Sequence, residues 1–80
     1  MKITLVTFAA LKESIPVDTE IIIKDHATIE ELRQALVRRT PASAGILQAS
    51  RFAVKESLVD DETILNEGDV VYVIPPSSGG

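Results

Sequence analysis

There is no cysteine and no tryptophan among these 80 residues, and only one histidine, one methionine and one tyrosine. The missing cysteine excludes disulfides, thiolate metal sites, a cysteine nucleophile and a persulfide held on a side chain. The lone His26 has no second imidazole or thiolate with which to share an ion, so it reads as a turn or helix-start residue and no metal site is expected. No apolar run approaches the roughly 18 residues of a membrane span, and the opening MKITLVTF lacks the apolar core and cleavage site of a secretory leader. A soluble, cytoplasmic protein with no membrane contact is the expectation. Positive charge is also scarce: eight Lys and Arg stand against twelve Asp and Glu, a net charge of −4. Scattered cations in an acidic chain make no phosphate-binding stripe, which argues against a nucleic-acid partner; the acidity fits a partner with a basic docking face, but first of all it keeps a small protein soluble. Gly-rich phosphate loops, a Ser-His-Asp arrangement and dinucleotide fingerprints are absent. Asp60, Asp61 and Glu62 lack the alternating ligand spacing of a calcium loop and read as a solvated acidic crossing. A chain this short forms one domain with a small core, too small for a self-sufficient catalytic cleft.

What is present is a clear alternation of patterns. Lys2 to Phe8 sets Ile3, Leu5 and Thr7 against Lys2, Thr4, Val6 and Phe8, as a strand does. Ala9 to Thr19, with Pro16 and Asp18, reads as a turn region, and Glu20 to Lys24 as a second strand closing a hairpin. Thr28 and Glu31 have the spacing of a capping box, and Ile29, Leu32 and Leu36, with Ala35 beside them, make one apolar stripe. Arg38 and Arg39 complement the negative end of that helix, and Pro41 with Gly45 is expected to prevent its continuation. Arg51 to Lys55 and Leu58-Val59 are short strands about a tight turn at Lys55-Glu56-Ser57. Gly68 stands where a left-handed turn is needed, directly before Val70 to Ile74, the strongest strand of the chain. The order gives an α+β fold of the β-grasp (ubiquitin-like) type. A mixed sheet of four to five strands is covered on one face by one main helix, with the first and last strands as a parallel central pair. Residues 1–74 form that domain and residues 75–80 a flexible C-terminal tail.

The tail has chemistry of its own. Pro75-Pro76 favours extended backbone without donors, so the chain must leave the sheet after Ile74. Six extended residues reach roughly 20 Å, and the last two, Gly79 and Gly80, have no β-carbon. Such a thread fits a narrow channel and ends in a carboxylate that an adenylating enzyme can activate. Once activated it can accept sulfur or an amine, and the absence of cysteine agrees with the former, because a terminal thiocarboxylate needs no thiol in the carrier.

Phe8-Ala9, the run Thr28 to Arg33, Val54, Leu58-Val59, Leu65 to Val70 and the Pro75-Pro76-x-x-Gly79-Gly80 ending together resemble the molybdopterin synthase small-subunit family of ubiquitin-like sulfur carriers, over essentially the whole length. Thiamine-pathway carriers are similar in fold and also end in Gly-Gly, but typically lack both the Phe-Ala and the Pro-Pro. The resemblance implies that an ATP-dependent, E1-like activating enzyme adenylates Gly80, that sulfur replaces AMP, and that the large synthase subunit accepts the tail. The pterin precursor then receives the sulfur. Catalytic residues would belong to the partners; Gly80 is the reacting residue, Gly79 gives it access, and no cofactor is bound permanently. It further implies that Phe8, Leu58 and Ile74 bind both partners, together with Pro75, Pro76, Ser77 and Ser78 of the tail. One departure stands out. Many relatives have Asn where this chain has Lys55, which puts the comfort of a left-handed turn there in question. A carrier for thiamine or another thiolation pathway, and a passive ubiquitin-like interaction module, are the remaining readings.

Overall fold

The computed structural model describes residues 1–8, 11–16 and 18–76. Strand β1 (Lys2–Thr7) buries Ile3, Leu5 and Thr7 and turns Thr4 and Val6 the other way, as alternation requires. The Thr7 hydroxyl, buried with the apolar residues, donates to the Ile15 carbonyl at 2.6 Å and so loses nothing by leaving water. Where a turn region was expected, a one-turn helix α1 (Leu11–Ser14) forms instead, because Leu11 finds a fully buried place in the core. Strand β2 (Thr19–Ile22) then pairs antiparallel with β1, Ile21 opposite Ile3.

Helix α2 (Ile29–Arg39) starts at the expected capping box. The Thr28 hydroxyl accepts from the Glu31 backbone N–H at 3.2 Å, and the Glu31 carboxylate accepts from the Thr28 N–H at 3.0 Å. The remaining free amides of the first turn are taken by the crossing between the last two strands: Ile29 N–H donates to the Thr63 carbonyl and Glu30 N–H to that of Asp61, both at 3.0 Å. Ile29, Leu32 and Leu36 point into the core. The helix ends at Arg39 as expected, with Thr40 as its C-cap outside helical geometry. Pro41 then opens an unexpected 3₁₀ turn (Pro41–Ser43) that runs into a third helix, α3 (Ala44–Ala49), with Gly45 inside it. A proline in a first helical turn gives up only an amide that would be unpaired anyway, and burial of Leu47 outweighs the weak propensity of a single glycine.

Strands β3 (Arg51–Val54) and β4 (Ser57–Val59) form the second hairpin, and β5 (Val70–Ile74) lies between β1 and β3. The sheet order is β2-β1-β5-β3-β4, with β1 and β5 parallel and every other pair antiparallel. Before β5, the Asn66-Glu67-Gly68-Asp69 turn closes with Asp69 N–H on the Asn66 carbonyl at 3.0 Å, and Gly68 has the positive φ of 83° such a turn needs at its third position. One face of the sheet carries Ile3, Leu5, Ile21, Phe52, Val71 and Val73 against Ile29, Leu32, Leu36 and Leu47.

A buried cation ties the helical layer together. Arg33, on α2, donates through one terminal nitrogen to the carbonyls of Leu47, Gln48 and Ser50 at 2.9 to 3.1 Å, and through the other to the Asp61 carboxylate at 2.6 Å. Its Nε lies 3.2 Å from a Glu30 carboxylate oxygen, near enough for charge attraction but not aligned for a hydrogen bond. The guanidinium carbon stands 5.0 Å from the centre of the Phe52 ring. Arg33 thus caps the C-terminus of α3 and anchors the acidic crossing; Asp61 is exposed, as expected of a solvated crossing, and is in addition an ion-pair partner of the buried cation.

Two outcomes follow from these contacts. Arg33→Met is expected to cost about 3 kcal/mol in urea unfolding, with Arg33→Lys recovering less than half, since an ammonium cannot reach all these acceptors at once. Glu31 is held below the ordinary carboxylate range, first by its hydrogen bond from the Lys24 ammonium and then by the Thr28 amide. A folded value below the unfolded one means stability present above the unfolded pKa and lost as pH falls through the folded one. An NMR titration should therefore find the Glu31 carboxyl below that of the same glutamate in an unfolded peptide, and Glu31→Gln should flatten the acid-side loss.

Candidate functional site

Alternation along β5 buries Val71 and Val73, so Tyr72 and Ile74 face the opposite, helix-free side of the sheet. The parallel register sets Val6 beside Tyr72 and Thr7 beside Val73, which carries Phe8 past the end of β1 towards Ile74. Phe8 stacks on Tyr72 with ring centres 6.2 Å apart and planes 16° from parallel. From the other side, the antiparallel register puts Ala53 opposite Tyr72 and Leu58 opposite Ala53. Phe8, Ala53, Glu56, Leu58, Tyr72 and Ile74 line a shallow concavity of about 380 Å³. Ala53 forms its floor because a methyl group leaves the space that larger neighbours enclose.

The turn that aims Leu58 is strained. Lys55 and Glu56 both have positive φ, 53° and 66°, the geometry that twists a two-residue hairpin correctly but that favours Asn and Gly. The expected cost at Lys55 is therefore present, and it falls on the residues holding one wall of the concavity.

Phe8 is 40% exposed and Leu58 57%, so a contiguous apolar surface faces solvent with Ile74 half-buried between them. Pro75 and Pro76 continue directly from it, so the patch borders the root of the tail. Ser77, Ser78, Gly79 and Gly80 lie outside the described residues. Three of the expected partner-binding side chains, Phe8, Leu58 and Ile74, are thus brought to one place. Ala53 and Glu56 were not singled out from the sequence, although counting back across the Lys55-Glu56 turn puts Ala53 opposite Leu58. His26 is exposed in a left-handed turn, with φ 62°. Among the described residues no three His, Asp or Glu side chains gather as metal ligands, and no helix is long and apolar enough to cross a membrane.

The sequence pattern of the ThiS family matches residues 5–80. This chain belongs to the ThiS family. It is similar, at 31% identity over 80 residues, to the molybdopterin synthase sulfur carrier subunit of Escherichia coli, covering 98% of this chain and 99% of that one. Among solved structures it is similar to one chain of the complex of subunits 1 and 2 of the molybdopterin-converting factor from Helicobacter pylori, with 26% identity and a TM-score of 0.66, covering 100% of this chain and 100% of that chain. The ubiquitin of Caldiarchaeum subterraneum shares the fold, with a TM-score of 0.67 at 20% identity over 100% of this chain and 98% of that one. The β-grasp architecture of this ThiS-family member is therefore ubiquitin-like, as its strand order implied.

The two faces of the sheet should separate in mutagenesis. Leu58→Ala is expected to change unfolding free energy by less than about 0.5 kcal/mol, whereas Phe52→Ala, on the covered face, should cost about 3 to 5 kcal/mol. Equal losses in denaturant titrations would mean that Leu58 belongs to the core.

Proposed function

We propose that this ThiS-family chain is a sulfur carrier in molybdenum cofactor biosynthesis, the small subunit of a two-subunit molybdopterin synthase. The observation that carries the reading is the solvent-facing apolar patch of Phe8, Leu58, Tyr72 and Ile74 at the root of a Gly-Gly tail, in a chain similar over its full length to a molybdopterin synthase sulfur carrier subunit. A monomeric domain seldom exposes such a patch without a partner. The patch docks the carrier, and the tail then reaches into the partner's site.

The chemistry is confined to Gly80. In an E1-like activating enzyme, a carboxylate oxygen of Gly80 attacks the α-phosphorus of ATP and pyrophosphate leaves. A sulfur donor at the hydrosulfide level attacks the resulting acyl-adenylate carbonyl, and AMP leaves with that oxygen, giving a thiocarboxylate. On the large subunit the thiocarboxylate sulfur bonds to a carbon of the pterin precursor and displaces an oxygen substituent from it, water then cleaves the acyl–sulfur bond, and the plain carboxylate returns. Gly79 keeps the thread narrow, and Pro75 to Ser78 span the distance from the sheet. The residues that catalyse each step belong to the partners, ATP is the activating enzyme's substrate, and the cycle runs in the cytoplasm. Full-length similarity to a molybdopterin carrier, together with Pro75-Pro76, favours this pathway over a thiamine-type one.

Incubation with the activating enzyme, ATP and a sulfur donor should raise the intact mass by the difference between one sulfur and one oxygen. Deleting Gly80 should abolish the gain, and Phe8→Ala should weaken binding to the large subunit by roughly 1 to 3 kcal/mol in titration calorimetry. Sulfur found anywhere but the terminal carboxyl, or a carrier still active with residues appended after Gly80, would overturn the proposal.

A further inference from the structure

The opposite edge of the sheet carries a second unpartnered surface. β2 is the outermost strand on that side, and Ile22 is 77% exposed, more than any other large apolar side chain described. Its backbone groups are equally unpaired. Ile23 and Met1 exchange two hydrogen bonds, Ile23 N–H to the Met1 carbonyl at 2.9 Å and the Met1 amine to the Ile23 carbonyl at 2.6 Å. Doubly bonded pairs recur at every second residue of an antiparallel ladder, and Ile21 lies opposite Ile3. Glu20, Ile22 and Lys24 therefore turn their N–H and C=O groups outward, away from β1. An exposed apolar edge of this kind is a template for another strand.

The charges beside it say which strand. Reading outward from Ile22, the chain carries Glu20 two residues before and Lys24 two residues after. A second β2 laid antiparallel about Ile22 sets Ile22 against its own copy and Glu20 of each chain against Lys24 of the other. Both side chains are exposed, at 60% and 66%, and each holds a pair within its own chain, Glu20 with Lys2 at 4.0 Å and Lys24 with Glu31, which the contact exchanges for pairs across the join. A groove of about 510 Å³ separates this edge from α2, so the helix of each copy would flank the join. Self-complementarity of the strand charges is the signature of an isologous contact.

We propose that two copies of this chain associate through β2, forming a continuous ten-stranded sheet with α2 of each copy flanking the join. The contact is short, so the dimer is weak. Its two-fold axis is normal to the sheet, which leaves the Phe8–Leu58 patches of both copies open on the same side and the tails free.

Sedimentation of the full chain from about 10 µM to about 1 mM tests this. The unmodified chain should dimerise reversibly, and on dilution its amide resonances at Glu20, Ile22 and Lys24 should move while those of Phe8 and Leu58 stay fixed. Lys24→Glu and Glu20→Lys should each raise the dissociation constant at least about tenfold, because like charges then face one another. Mixed in equal amounts, the two variants should pair with each other, every contact being restored with exchanged signs. Thermal melts verify that both are folded, and the dilution experiment needs no variant. A chain monomeric throughout, variants that dimerise like the parent, or a mixture that stays monomeric while the parent dimerises would each overturn the proposal.

Discussion

The guanidinium of Arg33 is the contact on which the helical layer depends. An 80-residue chain has little apolar material for a core, and here it must hold α2, α3 and the crossing before β5 over a single sheet face. Three carbonyls at the end of α3 and the start of β3, the Asp61 carboxylate and the Phe52 ring all converge on this one side chain. Arginine suits the place because its planar fork presents several donors at fixed angles, and its weakly hydrated faces tolerate an aromatic ring. Burying a cation is costly unless it is paired and bonded, and the acceptors around it offset that cost. The same contact supports a six-residue α3, because the guanidinium bonds the Leu47 and Gln48 carbonyls of its last turn.

From that layer the logic runs across the sheet. The helices cover only one face, so the parity of β5 divides its side chains between a closed core and an open surface. Val71 and Val73 go inward; Tyr72 and Ile74 remain outside and meet Phe8, Ala53 and Leu58. The parallel β1–β5 pair brings the end of the first strand beside the end of the last, and thereby places an aromatic residue from the start of the chain next to the root of its tail. A docking surface and a reactive terminus are adjacent for a topological reason.

Local strain collects on the same side. Lys55 and Glu56 occupy the left-handed region without glycine or asparagine to ease it, while Gly68 relieves the corresponding demand before β5. The tight turn fixes the register in which Leu58 opposes Ala53, so a less comfortable backbone is held where the patch wall has to be.

Much of this was legible in the residues themselves. Period-two alternation in Lys2 to Phe8 and Val70 to Ile74, the capping box at Thr28 and Glu31, the glycine at position 68 and the Pro-Pro followed by Gly-Gly are local signals, set by the chemistry of each residue and its neighbours. They gave the strand order, the division of faces and the nature of the tail. The short helices were not legible, because one turn about Leu11 and six residues about Leu47 are too short for a helical period to show, and only burial in the assembled core decides that their segments coil. Nor was Arg33, which lies in a helix where its charge reads as solvent-facing; its acceptors come from positions 14 to 28 residues away. The exposed β2 edge belongs with these. Strand pairing is settled between distant segments, so the sequence determined that a strand lies about Glu20 to Ile22, and only the tertiary structure set its bounds at Thr19–Ile22 and decided that one side of it has no neighbour.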